Sequence, residues 1–568
     1  MTAAALAQAM PVSPPSPTAL IATDPVAMAK AYGAIAATKP TDFECRYWLY
    51  SALMAAGQPV AAREAMDEAR DHHAVTVMRD LGVNLAAVQG DRAYAAQVGL
   101  QLYGANLMGS AAVALRAALD IDRLEAKLLL GYGLALHHDG RTAEAIQIFT
   151  AAAQAFPTPE VHGYLIYALF HAPDRIQRVY EEARRFADLY AAPLTPASPV
   201  FANIRDADRP LRIGYIAPTF TNNQLARFIL PVLEAHDPSA VEVLLYCDNP
   251  AAEGPLPAWL RTRAVSGTPH DKVADLVRED GVDVLVDLWG PVAGGRLPVF
   301  AHRPAPVQLA WLNFMQTTGL ACMDYVIHAD NIGIEDYAPY FTETIWRIGP
   351  TGGLYRPAVE ELEPVSTPAL RNGYVTFGSF NNPAKLSEET VRAWAMILRE
   401  RPADRLVLKY SYFVDPVLQR ATAARFAAYG AAPEQLEFRG HTTGAGYLRE
   451  FQDIDLALDP SPCPGGTSSL EALSNGVPVL TLRGEDYYAR IGVSAVLPCG
   501  LSELVTDSWD DYVARALDLT ADFHALDALR ARVRPGFDAS LFRDEAGFTR
   551  TREEAFRQMF ARWMERSA

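Results

Sequence analysis

Two stretches of the chain hold residues whose type and order suit chemistry on an anionic substrate. In TFGSFNNPAKLSEETVRAW an apolar run ends at Asn381 and Asn382, a lysine follows at Lys385, and Ser387 stands where a helix N-cap belongs, with Glu388 and Glu389 in the first turn. A lysine on a loop after a buried strand puts one cation at the strand end, where open α/β sheets bind their ligands. Lone lysines are most often solvated, and the strand end with its Asn pair is what lifts Lys385 above that background. In DLALDPSPCPGGTSSLEALSNGVPVLTLRG a second run ends at Asp459, a Pro/Gly loop follows, and Thr467, Ser468 and Ser469 open a helix. Gly465 and Gly466 let the backbone approach a ligand, and Thr467 and Ser468 add hydroxyls to the amides of the helix start, a suitable cradle for phosphate. Glu471, one turn further, can accept hydrogen bonds from a ribose diol. An ordinary Ser/Thr cap with a capping-type Glu is the plainer reading of such a segment. The SNGVPVLT turn and strand that follow make the block more specific than that.

Residues at strand ends need sheets to hold them. LRIGYIA, VEVLLYCD, VDVLVDLWG, PVQLAWL and MDYVIHA are short apolar runs separated by helix-length segments, and YVTFGSF, RLVLKY, LEFRG, IDLALDP and PVLTLRG repeat the pattern after a break near Pro364. Near-continuous apolar strands belong to parallel sheets covered on both faces. The expected architecture is therefore two Rossmann-like α/β domains, 211–365 and 366–568, with the ligand in the cleft between them. The tail FTRTREEAFRQMFARWMERS reads as a closing amphipathic helix packed across the domains. The region 26–190 is Ala-rich and helical. In LLLGYGLALHHDGRTAEAIQIFTAAAQAFP, Gly131, Ala135 and Ala145 permit close helix approach, Leu134 and Phe149 fill the pair, and Gly140 and Pro157 end its helices, which matches the tetratricopeptide pattern. Ala52, Gly57, Ala62 and Ala69 repeat Ala135, Gly140, Ala145 and Ala152 at a spacing of 83 residues, and a weaker copy is expected around Gly90. The Pro-rich stretch 191–210 reads as a linker and residues 1–25 as a disordered leader without the basic and apolar regions of a signal peptide.

Bulk properties exclude several classes. A net charge of −17 over 568 residues argues against a nucleic-acid or anionic-membrane partner. Five scattered cysteines and no Cys/His cluster of zinc-site spacing predict a reducing, cytoplasmic location and no bound metal or other cofactor. Asp453-Ile454-Asp455 opens a buried strand, so it reads as strand-edge and turn chemistry rather than a metal clamp. His302 and His328 read as structural histidines. No apolar stretch reaches the ~18 residues a membrane helix needs.

With these segments in hand a family resemblance is plain. FNNPAKLS resembles the FNxxxK region of the protein O-GlcNAc transferases, PGGTSSLEALSNGVPVLTLRGEDYYARIGVS resembles their NGHTTxxDxLWxGxPxxTxxGExxxxR block, and GGRLPVFAHRPAPVQLAWLNFMQTTGLACMDYVI is similar to a first-domain segment of the same family. The resemblance implies a GT-B fold behind tetratricopeptide repeats, inverting transfer from a nucleotide sugar to a Ser/Thr hydroxyl, and no obligatory metal. Residue by residue, it implies that Lys385 neutralises the leaving phosphate, Thr467 and Ser468 hold phosphate, Glu471 stands where the family has a ribose-binding Asp, and Asn382 replaces a donor-contacting Gln. Two departures stand out. Asn223 occupies the position of an active-site His, and Gly466 that of the His in GHTT; His441-Thr442-Thr443-Gly444 matches GHTT only as text, on the preceding loop. An Asn cannot serve as a general base, so Asn223 can only position groups. Bacterial flagellin glycosyltransferases of similar architecture use CMP-activated nonulosonic acids, which makes a UDP- or CMP-linked donor, a flagellin acceptor held by the repeats, and the cations Arg227, Arg483 and Arg490 further expectations. The alternatives are a non-catalytic repeat scaffold with a degenerate transferase domain and, less favoured, a nucleotide-sugar epimerase.

Overall fold

The computed structural model describes residues 24–38, 43–120, 125–172, 174–206, 208–221, 224–357 and 362–566. Nearly all of the expected leader lies outside the described residues, and Pro25 already opens a helix, Pro25–Thr38. Helices then continue to Arg175–Tyr190, including the antiparallel pairs Phe43–Ala55 with Pro59–Asp80, Arg92–Gly104 with Met108–Ala118, and Ala126–His138 with Thr142–Ala155.

The register expected from the small residues has a direct physical counterpart. Ala52, Ala62 and Ala69, and Ala135, Ala145 and Ala152, are all fully buried where the helices touch. Gly57 (φ +71°) and Gly140 (φ +81°) sit in left-handed turns whose following amides bond back alike, Gln58 N to Leu53 O and Arg141 N to Leu136 O, both at 2.9 Å. The middle copy is not centred on Gly90, which ends the short helix Leu85–Gly90. Its turn residue is Asn106 (φ +63°), where Leu107 N bonds Leu102 O at 2.9 Å, and Ala111 and Ala118 take the buried alanine positions. Asparagine tolerates the left-handed conformation that glycine usually fills, so a search for glycine passes over it.

The first sheet has the order β3-β2-β1-β4-β5-β6-β7, all parallel: β1 Leu211–Ile216, β2 Val241–Cys247, β3 Arg261–Ala264, β4 Val284–Asp287, β5 Val307–Ala310, β6 Tyr325–His328 and β7 Thr344–Arg347. The second has the order β10-β9-β8-β11-β12-β13: β8 Thr376–Ser379, β9 Arg405–Lys409, β10 Leu436–Arg439, β11 Leu456–Leu458, β12 Val479–Leu482 and β13 Val505–Thr506. Both are doubly wound, with topological switch points between β1 and β4 and between β8 and β11. Ten strands are the apolar runs read from the sequence. β3 and β7 are edge strands, RTRA and TIWR, half-exposed or exposed along their length, and so lack an apolar signature; β13 has only two residues.

The helical repeats lie against both α/β units. Ala421, Ala424 and Ala427 of the helix Pro416–Ala427 share a core with Tyr32, Trp48 and Ala62, and Ser110 N and Oγ donate to Asp415 at 3.1 and 3.2 Å. On the other side Gly163 meets the backbone of Pro291 so closely that it has no room for a Cβ. The C-terminal helix, Glu545–Arg566, does not pack across the two units as expected. Phe548, Phe556, Met559 and Phe560 join the core of the first sheet beside Tyr215 and Trp311, because the apolar face of this helix matches the one left open there. A cleft of about 670 Å³ separates that helix from β7.

Inside the third helix pair a Cβ on Gly133 would meet the Phe149 ring at 2.5 Å, and Phe149 is fully buried. Phe149→Ala is expected to destabilise the repeats by about 3–5 kcal/mol, seen as a lower urea midpoint. A change under about 1 kcal/mol would mean that this ring does not hold the pair together.

Candidate functional site

The two sequence segments singled out for chemistry meet at the β8/β11 switch point. β8 and β11 are adjacent and parallel, so the residues leaving their carboxyl ends, Asn381 to Lys385 and Asp459 to Ser468, line one crevice. Asp459 organises the second loop. Its buried carboxylate accepts from Gly465 N at 2.6 Å, Thr481 Oγ1 at 2.8 Å and Ser469 Oγ at 3.3 Å. Burial pushes its pKa up to about 6 against these hydrogen bonds and the Lys385 charge. The tie turns the chain back so that Gly466 becomes the N-cap of the helix Thr467–Ser474. Having no side chain, Gly466 leaves the first amides of that helix without a cap.

Lys385 closes a short 3₁₀ turn, Pro383–Lys385, that Asn382 caps by accepting from Ala384 N at 3.0 Å. Its Nζ donates to Pro464 O at 2.8 Å, which holds the cation against the loop that precedes the helix start. Burial lowers the lysine pKa, while Cys463 and Asp459 oppose the shift. Ser468 Oγ donates to Asn381 Oδ1 at 2.9 Å and so joins the two loops. Of the expected donor-site residues, Asn382, Lys385, Gly465, Gly466, Thr467, Ser468 and Glu471 all belong to these two loops or the helix they lead into. Asn223 lies outside the described residues.

Glu471 is already engaged. Tyr447 donates its hydroxyl to one oxygen, and Arg227, beside the start of the first unit's helix Ala226–Ala235, forms an ion pair with the other. The carboxylate therefore couples the two α/β units across the cleft while keeping acceptor capacity. Arg490 donates to Ile332 O, Gly484 O and Glu485 O, and Arg483 pairs with Asp507 at 3.0 Å on the surface. Among the described residues, none of the three arginines is left as a free cation. His328 is buried against Phe341 and Tyr487, and burial lowers its pKa to about 3, so it is a neutral structural residue. Asp455 accepts from Thr367 Oγ1, Ala369 N and Thr376 N, which is strand-edge chemistry. His441 to Thr443 connect β10 to the helix Gly444–Phe451 and take no part in the Gly466 helix start.

Several participants were not read from the sequence as site residues. Asp287 closes β4 at the other switch point, accepts from Gly290 N at 2.8 Å, and is pushed up to about 7 by burial. It parallels Asp459, and the shared signal was an Asp ending a buried strand before a glycine-containing loop. The repeats also reach the site. His138 Nδ1 lies 3.5 Å from Asn382 Nδ2, Phe170 O accepts from Cys463 Sγ at 3.8 Å, and Arg175 bonds both Cys463 Sγ at 3.4 Å and Asp486 Oδ1 at 2.7 Å. No local pattern could have shown these, since each partner is more than 200 residues away. Among the described residues there is no group of three metal-ligating side chains, and no helix is long and apolar enough to cross a membrane.

The two glycines of the loop are not equivalent. A Cβ on Gly465 would meet Ser468 Oγ and Ser469 Oγ at 2.5 Å and Asp459 Oδ1 at 3.0 Å, whereas one on Gly466 meets nothing nearer than Ile491 at 3.9 Å. Gly465→Ala is expected to break the Asp459 tie and weaken nucleotide binding at least about tenfold, the loss of one charge-assisted hydrogen bond, while Gly466→Ala leaves thermal stability near wild type. Calorimetric titration and thermal melts check both, and equal effects of the two variants would contradict the geometry.

The model of glycosyl transferase family 41 matches residues 196–346 and 364–548. A rice protein described as a probable UDP-N-acetylglucosamine–peptide N-acetylglucosaminyltransferase SPINDLY is 34% identical over 410 residues, covering 70% of this chain and 43% of its own length. The corresponding SEC protein of Arabidopsis thaliana is 27% identical over 57% of this chain and 34% of its own. The chain thus spans less than half the length of these relatives. Among solved structures, a variant of the Thermobaculum terrenum O-GlcNAc transferase superposes with a TM-score of 0.78 at 30% identity, covering 96% of this chain and 100% of that one. That agreement covers the helical repeats as well as both parallel sheets, and with the family match it shows that the chain is a member of glycosyl transferase family 41.

Proposed function

We propose that the chain is an inverting protein O-glycosyltransferase that moves a sugar from a nucleotide-sugar donor to a Ser or Thr hydroxyl of a protein acceptor gathered by the helical repeats. The observation that carries this reading is Lys385, fixed at the switch point against the loop from which the uncapped helix start of Gly466 emerges. A cation and a set of unpaired amides are what a departing nucleotide phosphate requires. Catalysis in this reading rests on holding donor and acceptor together and on stabilising charge on the leaving group, with no metal or other cofactor called for. In this reading the acceptor reaches the cleft along the repeats, since stacked helix pairs generally form concave surfaces suited to a polypeptide. Flagellin is the candidate acceptor, and the donor is UDP- or CMP-linked. Asn223 would position groups by hydrogen bonding, Asn382 and Glu471 would contact the donor, and the location would be cytoplasmic.

A second reading, a scaffold with a degenerate transferase domain, is favoured by Asn223 and Gly466 standing where the resembling family has histidines. Nucleotide binding separates the two.

Incubating the purified chain with flagellin and either UDP-GlcNAc or a CMP-nonulosonate, followed by intact-mass measurement, is expected to show a mass increase of one or more sugar units with one donor. Turnover with UDP-GlcNAc alone would discard the CMP-linked donor. Lys385→Ala is expected to lower transfer about 10²–10³-fold, the range for removing one charge-stabilising donor, with an unchanged melting temperature. Near-normal transfer by that variant would remove the mechanism. Absence of both transfer and nucleotide binding would favour the scaffold.

A further inference from the structure

The turn between the helices Pro159–Leu169 and Arg175–Tyr190 lies against the β11 loop of the donor site, as His138 lies against the β8 loop. Phe170 and Arg175 flank the turn, and both bind Cys463, the residue before the Pro464 carbonyl that anchors Lys385. Between them stands His171, half-buried, with its ring 4.6 Å from that of His137. Its Nδ1 bonds the Tyr167 carbonyl at 3.3 Å, which makes Nδ1 the protonated nitrogen and leaves the Nε2 lone pair without a partner among the described residues. The turn has little freedom to withdraw. Arg175 is fully buried and ion-paired to Asp486, and the Phe170 ring packs 4.1 Å from that of Tyr488.

Resting on the transferase reading above, we propose that the helical repeats supply the donor site with a phosphate ligand, His171, which acts beside Lys385 in place of a histidine on the Gly466 loop. Gly466 leaves open space at the helix start, so a group from outside the loop can approach a phosphate seated there. The charged and titratable groups facing the ring are Lys385 from the β8 loop, His137 and His138 from the helix Ala126–His138, Tyr167 from the helix Pro159–Leu169, and Arg175 from the next helix. Burial, and after it the Lys385 charge, lower the His171 pKa to about 3, so the ring by itself is neutral near pH 7. An anionic phosphate placed against Lys385 cancels that repulsion and adds an attraction, and both effects draw a proton onto Nε2. Binding of a phosphate-bearing ligand is then coupled to uptake of a proton, and the resulting imidazolium donates a charge-assisted hydrogen bond to the phosphate. His138 is the less suited neighbour, since its Nδ1 faces the Asn382 amide.

The test is calorimetric titration of the full-length chain with CMP and UDP, and with cytidine and uridine, in buffers of different ionisation enthalpy at pH 6.5. With the nucleotides the wild type is expected to take up a fraction of a proton beyond what titration of the nucleotide's own phosphate contributes, and with the nucleosides none. His171→Gln, which keeps volume and hydrogen-bonding capacity but cannot be protonated, is expected to abolish this excess uptake and to weaken nucleotide binding about 10- to 100-fold, the range for one charge-assisted hydrogen bond. Nucleoside affinity and melting temperature should not change, and His171→Ala serves as a second variant with the same expected loss. Nucleotide binding with equal affinity and equal proton uptake in wild type and both variants would overturn the role of His171 and leave the transferase reading standing. Failure of the wild type to bind either nucleotide would overturn both.

Discussion

The arrangement of the crevice between β8 and β11 depends on a carboxylate kept out of water. Asp459 ends β11 at the switch point of the second sheet, and an ionised group so buried is tolerated only if donors surround it. The donors are the Gly465 amide and the Thr481 and Ser469 hydroxyls, with the Lys385 charge close by. Satisfying that carboxylate dictates the loop. Gly465 must lack a side chain, Gly466 must turn into a helix, and the Pro464 carbonyl must point where Lys385 can reach it. The cation and the uncapped amides are thus held at one strand end, so that stabilising a phosphate there calls for little more than turning the Lys385 ammonium from the Pro464 carbonyl.

A second constraint acts from outside the sheets. The helical repeats are fastened to the second unit through Asp415 and the helix Pro416–Ala427, and to the first through the Gly163–Pro291 contact. Arg227 and Glu471 link the same two units at the cleft. The repeats therefore brace both walls of the cleft. Small buried residues make this possible, since alanines and glycines at the helix contacts let backbones approach within van der Waals distance.

Sequence patterns showed what depends on neighbours along the chain. Ten of the thirteen strands among the described residues are apolar runs, and the repeat register was visible in alanines that prove fully buried. The edge strands β3 and β7 escaped because their residues are exposed, and the middle repeat turn because Asn106 does the work of a glycine. Lys385 and the Gly465–Ser468 loop were legible because a strand end, a turn and a helix start follow one another in sequence. Contacts made across hundreds of residues were not legible: the Arg227–Glu471 pair, the bonds of Phe170 and Arg175 to Cys463, and the docking of the C-terminal helix on the first sheet. These depend on how finished domains meet, which no window of sequence contains.

The central claim is that a nucleotide phosphate sits at the Gly466 helix start beside Lys385. The most direct measurement is a crystal structure of the chain with UDP or CMP bound. The account predicts phosphate oxygens within hydrogen-bond distance of the Thr467 and Ser468 amides and a Lys385 Nζ that has left the Pro464 carbonyl for the phosphate. A nucleotide seated elsewhere, such as the cleft between β7 and the C-terminal helix, with Lys385 still on Pro464, would contradict it.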